Sequence, residues 1–278
     1  MTPLDEAQPP LAAAGFFHFG KGYNDPLGAL DAELERVSAT ESAGDSLANT
    51  LIVLPEAFNI GREYYHQDPP SIDPSFLTDL SKRSLFYHCA FVAGLIVEDS
   101  PEVIPPYSSA YLIDGEEITL LARKASKDNT EATSPTLGAY AANYTAFPGF
   151  YSRVIRHRDV AIAGLVCLDG QYEQGSAHSA HAEELEHLAI SLTNSGCAHK
   201  LLCVPARVSN GFCNGQPLQN VAFNTPWGGI IQILANGLPS HVASFATNSS
   251  GIIQSPVSPR HDNRIDIFQL TDLTSQRS

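Results

Sequence analysis

Apolar runs of strand length alternate along this chain with segments that carry helix signals, and that alternation confines it to a layered α/β fold. Ala12 to His18 reads as a strand. Asp25-Pro26 then supplies an N-cap and a first-turn proline, and Leu27, Leu30, Leu34 and Val37 recur at three- and four-residue spacing. A helix with one apolar stripe lays that stripe on a sheet. The strand Leu51 to Leu54 follows, Asp73-Pro74 repeats the helix-start signal for a segment reaching about Tyr87, and Cys89 to Val97 is the next strand.

Asp114-Gly115, set between Ala110 to Ile113 and Glu117 to Leu121, is a two-residue hairpin signal. Val160 to Val166 is a further strand. Past a turn at Gly170 to Gly175, a helix from about Ala177 to Thr193 turns Leu185, Leu188 and Leu192 inward. Strands near Lys200 to Pro205, Ile230 to Ala235, His241 to Ala246, Ile252 to Gln254 and Arg264 to Leu270 complete the reading. The stretches LIVLPEAFNIG and LLCVPARVSNG share an apolar run, a proline and a glycine six residues later, which points to two similar βαβ-type halves.

With 278 residues, 43% of them hydrophobic, the chain can bury a large core. The longest polar interruptions, Ser38 to Asn49 and Ser126 to Thr136, are loop-sized, so a single domain over 1–278 is expected, with its core at about 11–270 and a polar tail from about 255. A net charge of −14 opposes binding to a phosphate backbone, so no nucleic-acid partner is expected. Apolar runs fall short of the roughly 18 residues of a membrane span. Met1 to Pro10 has no basic region of a secretory signal, and five scattered cysteines suit reduced thiols, so the expected location is the cytoplasm.

Three of the apolar runs end in a side chain that can do chemistry: Glu56, Lys124 and Cys167. A thiol is a modest nucleophile at neutral pH and wants a base to take its proton, a role open to Glu56. Attack on a trigonal carbon gathers negative charge on the substrate, which Lys124 and the backbone N–H of Leu168 can stabilise. The set reads as hydrolytic. A strand-to-helix turn at Cys167 also places helix N-terminal N–H groups nearby.

The order and surroundings of these residues resemble the nitrilase superfamily of carbon–nitrogen hydrolases, in LIVLPEAFNIG, LLARKASKDNTE and AIAGLVCLDG. The resemblance covers roughly residues 11 to 270. It implies a four-layer αββα sandwich, a Glu56-Lys124-Cys167 catalytic set, and a small amide-type substrate cleaved through a cysteine thioester without metal or organic cofactor. It also implies a homodimer or higher homo-oligomer. Glu131, seven positions after Lys124, is implied as a second carboxylate that orients the lysine or the substrate; Lys127 lies in the polar loop, so Lys124 is preferred. Where relatives often read Cys-Tyr-Asp then Phe-Pro-Glu, this chain has Leu168 and then Tyr172-Glu173-Gln174. Leu168-Asp169 looks more like the amidase and carbamoylase side than the nitrilases proper. The same residues also serve acyl transfer, and the changed segment keeps open a catalytically silent binding domain.

Phe58, with Tyr64 and Tyr65, follows the base closely and is a candidate wall of the acyl site, or simply core. Arg207, two residues past Pro205, suits a substrate carboxylate or a surface ion pair equally. His178, His181 and His187 among Glu183, Glu184 and Glu186 lack the His pair at i and i+4 of a metal site and read as a solvated helix face. Cys203, in the middle of an apolar run, reads as a small core residue.

Overall fold

The structure, a computed structural model, describes residues 8–18, 25–40, 47–60, 75–97, 107–124, 151–167, 182–207, 227–237, 244–251, 254 and 263–274. In its first half, β1 (Ala13–His18), α1 (Pro26–Thr40), β2 (Thr50–Leu54), α2 (Phe76–Tyr87) and β3 (Ala90–Val97) alternate as the sequence signals require. Then come β4 (Tyr107–Asp114), β5 (Glu117–Arg123), β6 (Tyr151–Ser152), β7 (Val154–His157) and β8 (Val160–Gly164). The last third holds α3 (Ala182–Thr193), β9 (His199–Ala206), β10 (Ile231–Asn236), β11 (Phe245–Ala246), β12 (Arg264–Gln269) and α4 (Leu270–Thr274).

The strands form two sheets, ordered β12-β1-β2-β3-β4-β5-β6 and β11-β10-β9-β8-β7. Parallel ladders join β1 to β2 to β3 in one and β8 to β9 to β10 in the other. The central runs are apolar throughout because both faces are covered. In β2, Leu51 and Val53 face the cluster between the sheets, whereas Ile52 and Leu54 face Leu30, Leu34 and Val37 of α1 and Phe76 and Leu80 of α2. On the other side, Leu185, Leu188 and Leu192 of α3 pack on the second sheet. The layers run helix, sheet, sheet, helix. The first begins as expected, Gly28 N–H donating to Asp25 Oδ1 at 2.9 Å, while Asp73 and Pro74 lie outside the described residues.

Some boundaries differ from the sequence reading. Asp114 pairs with Glu117, so the loop residues of the hairpin are Gly115 and Glu116, one position later than the dipeptide signal. The strand β8 stops at Gly164 although the apolar run continues to Val166, because burial outlasts the ladder there. Toward the C-terminus, β12 is an edge strand antiparallel to β1, and α4 buries Leu270 and Leu273. This short helix was not expected from the sequence, where Arg264 to Leu270 reads as strand alone. Trp227 is buried in the hydrophobic cluster that includes the core of the second sheet. No helix among the described residues is long and apolar enough to cross a membrane.

At the end where β4 finishes, a buried ionic cluster ties the two sheets together. Asp114 receives His157 Nε2 and the Arg158 guanidinium, each at 2.7 Å. Burial alone pushes the Asp114 carboxyl up, but its two partners outweigh that and hold it below the usual carboxylate range. Glu56, Lys124 and Cys167 lie at the opposite end, where β2, β5 and β8 finish.

Candidate active site

Glu56 reaches its place through a tight turn after β2. Ala57 adopts a left-handed φ of +53°, and the N–H of Phe58 donates to Gly94 O at 2.9 Å. The close approach of β3 requires a glycine: a Cβ on Gly94 would lie 2.7 Å from Glu56 Cα and 2.6 Å from Pro205 Cβ. The two Pro-terminated runs of the sequence thus meet around Gly94. Replacement by Ala should cost about 1–3 kcal/mol and displace Glu56. Thermal melting and turnover, measured together, check that both fall.

Lys124 owes its direction to a β-bulge. Pairs between β4 and β5 run in register from Asp114↔Glu117 to Tyr111↔Leu120, then shift to Ala110↔Ala122 and Ser109↔Arg123. Leu121 and Ala122 in consequence both face the core between the sheets. A one-residue shift exchanges the faces of everything beyond it, so Lys124 turns inward. Gly164 accommodates the bulge, since a Cβ there would lie 2.9 Å from Leu121 Cβ.

The Lys124 ammonium donates to Glu56 Oε1 at 2.9 Å, and both residues are 4% exposed. Ser108 Oγ donates to the same oxygen at 2.8 Å. The backbone continues this contact, because Lys124 N–H donates to Ser108 O at 2.9 Å. A buried charge of each sign is tolerated when paired and hydrogen-bonded in this way.

Cys167 sits three residues past β8 with φ +48°, a left-handed conformation that disfavours non-glycine residues, and is 2% exposed. Its thiol lies close enough to Glu56, Lys124 and the Arg207 backbone to feel all three electrostatically. Burial, followed by the negative charge of Glu56, pushes the thiol well above its ordinary range. Lys124 and the Arg207 N–H pull the other way without prevailing. The resting sulfur is therefore a protonated thiol. Cys203 is pushed up as well, by burial with no charged neighbour involved, as befits a core residue.

Of the other residues singled out in the sequence, Glu131 and Leu168 lie outside the described residues. So do Tyr64, Tyr65, His178 and His181. Phe58 is fully buried on the helix side of the first sheet, edge-on to Phe17 and Phe76 at 5.9 Å from each. Arg207 is buried just past the end of β9, and its backbone is among the groups that lower the Cys167 thiol against the push of burial. His187, Glu183 and Glu184 are exposed, and no cluster suited to a metal ion occurs among the described residues. Sequence reasoning missed Ser108. Counting back from the hairpin in register sets Tyr107 opposite Lys124, and only the bulge brings Ser108 there.

Solved structures share this two-sheet α/β fold. An amidase from Nesterenkonia sp. AN1, described as a member of the nitrilase superfamily, was matched as its Cys-to-Ser variant at 18% identity and TM-score 0.62, covering 95% of each chain. A Glu-to-Gln variant of the same amidase, carrying the product of Michael addition of acrylamide at its active-site cysteine, matches at 18% identity and TM-score 0.63, covering 96% of each chain. Its Cys-to-Ala variant in complex with butyramide matches at 18% identity and TM-score 0.62, covering 96% of this chain and 95% of that one. This chain has the nitrilase-superfamily fold. No family model matches it, and no curated protein matches it in sequence.

Proposed function

We propose that the protein hydrolyses the carbon–nitrogen bond of a small amide-type substrate through a thioester on Cys167. The observation that carries this reading is the buried Glu56–Lys124 pair, both of whose charges act on a buried cysteine in a left-handed backbone conformation. The sulfur attacks the carbonyl carbon while its proton passes to Glu56, and the carbonyl π pair moves onto oxygen. Lys124 and the Leu168 N–H stabilise that oxyanion. Collapse re-forms the carbonyl and breaks the C–N bond, with the Glu56 proton going to the departing nitrogen, so that ammonia or an amine leaves and the acyl group stays on sulfur. Glu56, again a carboxylate, takes a proton from water as it attacks the thioester, and the acid is released with the thiol restored. The family resemblance gives Glu131 a supporting role, orienting Lys124 or the substrate.

The ligands captured in the Nesterenkonia amidase supply the first probes. Ammonia release from butyramide tests turnover, and mass spectrometry after acrylamide treatment tests where the electrophile adds. We expect ammonia release and an adduct at Cys167 ahead of the other four cysteines. No ammonia from a panel of small amides, together with indiscriminate labelling, would overturn the reading.

A further inference from the structure

We propose that Ser108 is a positioning residue that divides the work of the Glu56 carboxylate, holding Oε1 for the ion pair so that Oε2 receives the proton of Cys167. The inference rests on the hydrolytic reading above and adds a residue to it. Among the described residues, two donors converge on one oxygen: Ser108 Oγ at 2.8 Å and Lys124 Nζ at 2.9 Å, both on Oε1. An oxygen engaged by an ammonium and a hydroxyl is a poor acceptor for a third proton, because both donors stabilise its negative charge. The other oxygen of the same carboxylate carries the basicity.

Ser108 also acts through its backbone. Its carbonyl accepts from the Lys124 N–H at 2.9 Å, so one residue grips the carboxylate with its side chain and the lysine with its main chain. The grip is rigid, since Ser108 is 1% exposed and stands in β4 beside the bulge. A carboxylate held by Lys124 alone could rotate about its terminal torsion, which is broad and roughly two-fold. The hydroxyl fixes that rotation and with it the approach of the base to sulfur. A misplacement of even about 1 Å costs on the order of 100-fold in rate.

The test compares Ser108→Ala with wild type in ammonia release from butyramide, with melting temperature recorded for each. A positioning role lowers kcat by about 10- to 100-fold while KM stays within about threefold, since the hydroxyl is directed at the base and not at substrate. Ser108→Thr, which keeps the hydroxyl, recovers most of the loss. A purely structural role would lower melting and leave kcat per folded site unchanged. Wild-type kcat in folded Ser108→Ala overturns the proposal, as does an equal loss in folded Ala and Thr variants. Should Ser108→Ala fail to fold, Ser108→Cys, similar in shape but a weak donor, carries the same comparison. Glu56→Gln separates the two levels: if it retains turnover the hydrolytic reading fails, whereas loss in Glu56→Gln with full activity in Ser108→Ala sinks the Ser108 assignment alone.

Discussion

Cys167→Ala will bring ammonia release down to background, a loss of about four to six orders of magnitude, in a protein that melts within a few degrees of wild type. The size follows from the proposed covalent route, which has no substitute for the sulfur. The preserved fold follows from the environment. Truncation removes one buried atom, worth about 1 kcal/mol, and leaves the left-handed backbone at this position no worse, since alanine meets the same restriction. Glu56 loses one neighbour but keeps Lys124 and Ser108 on Oε1. A general unfolding defect would lower turnover and melting in parallel. Retained hydrolysis in the folded variant would exclude Cys167 as the nucleophile.

The fold was largely legible because its signals are local and repeated. In α1, Asp25 caps and Leu30, Leu34 and Val37 bury, as the spacing of those residues requires. Central strands such as β2 announce themselves by being apolar on both faces. Less was visible where local pattern and hydrogen bonding part company. Val160 to Val166 is continuous in hydropathy, yet Leu165, Val166 and Cys167 leave the strand to make the turn that exposes the sulfur to its partners. Similarly, α4 continues from the edge strand β12 with no capping signal of its own.

At the candidate site, Glu56, Lys124 and Cys167 stand out in the sequence by their positions after apolar runs, whereas what brings them together does not. The inward turn of Lys124 depends on the extra residue at Leu121, and hydrophobicity does not mark it, because Leu120, Leu121 and Ala122 are all apolar. Ser108 inherits its position from the same irregularity. Gly94 matters through what its missing side chain would strike, a contact between elements distant in sequence. Each is a long-range consequence of packing.

Lys124→Met should destabilise the protein by about 3–5 kcal/mol, the usual cost of stripping the partner from a buried charge. Glu56 is 4% exposed, and after the substitution Ser108 is the remaining donor on Oε1 among the described residues. Adding Glu56→Gln to Lys124→Met removes the stranded charge, so most of that stability should return in urea unfolding while turnover stays lost. The thiol supplies an independent readout with a definite sign. Lys124 is the positive charge that opposes the upward push on Cys167 from burial and Glu56, so Lys124→Met moves the onset of Cys167 alkylation to higher pH. Glu56→Gln alone moves it to lower pH, because the negative charge is then the one removed. Identical alkylation profiles in wild type and both single variants would show that the sulfur does not experience the pair, and recovered stability without these opposed shifts would reduce the Glu56–Lys124 contact to a structural ion pair.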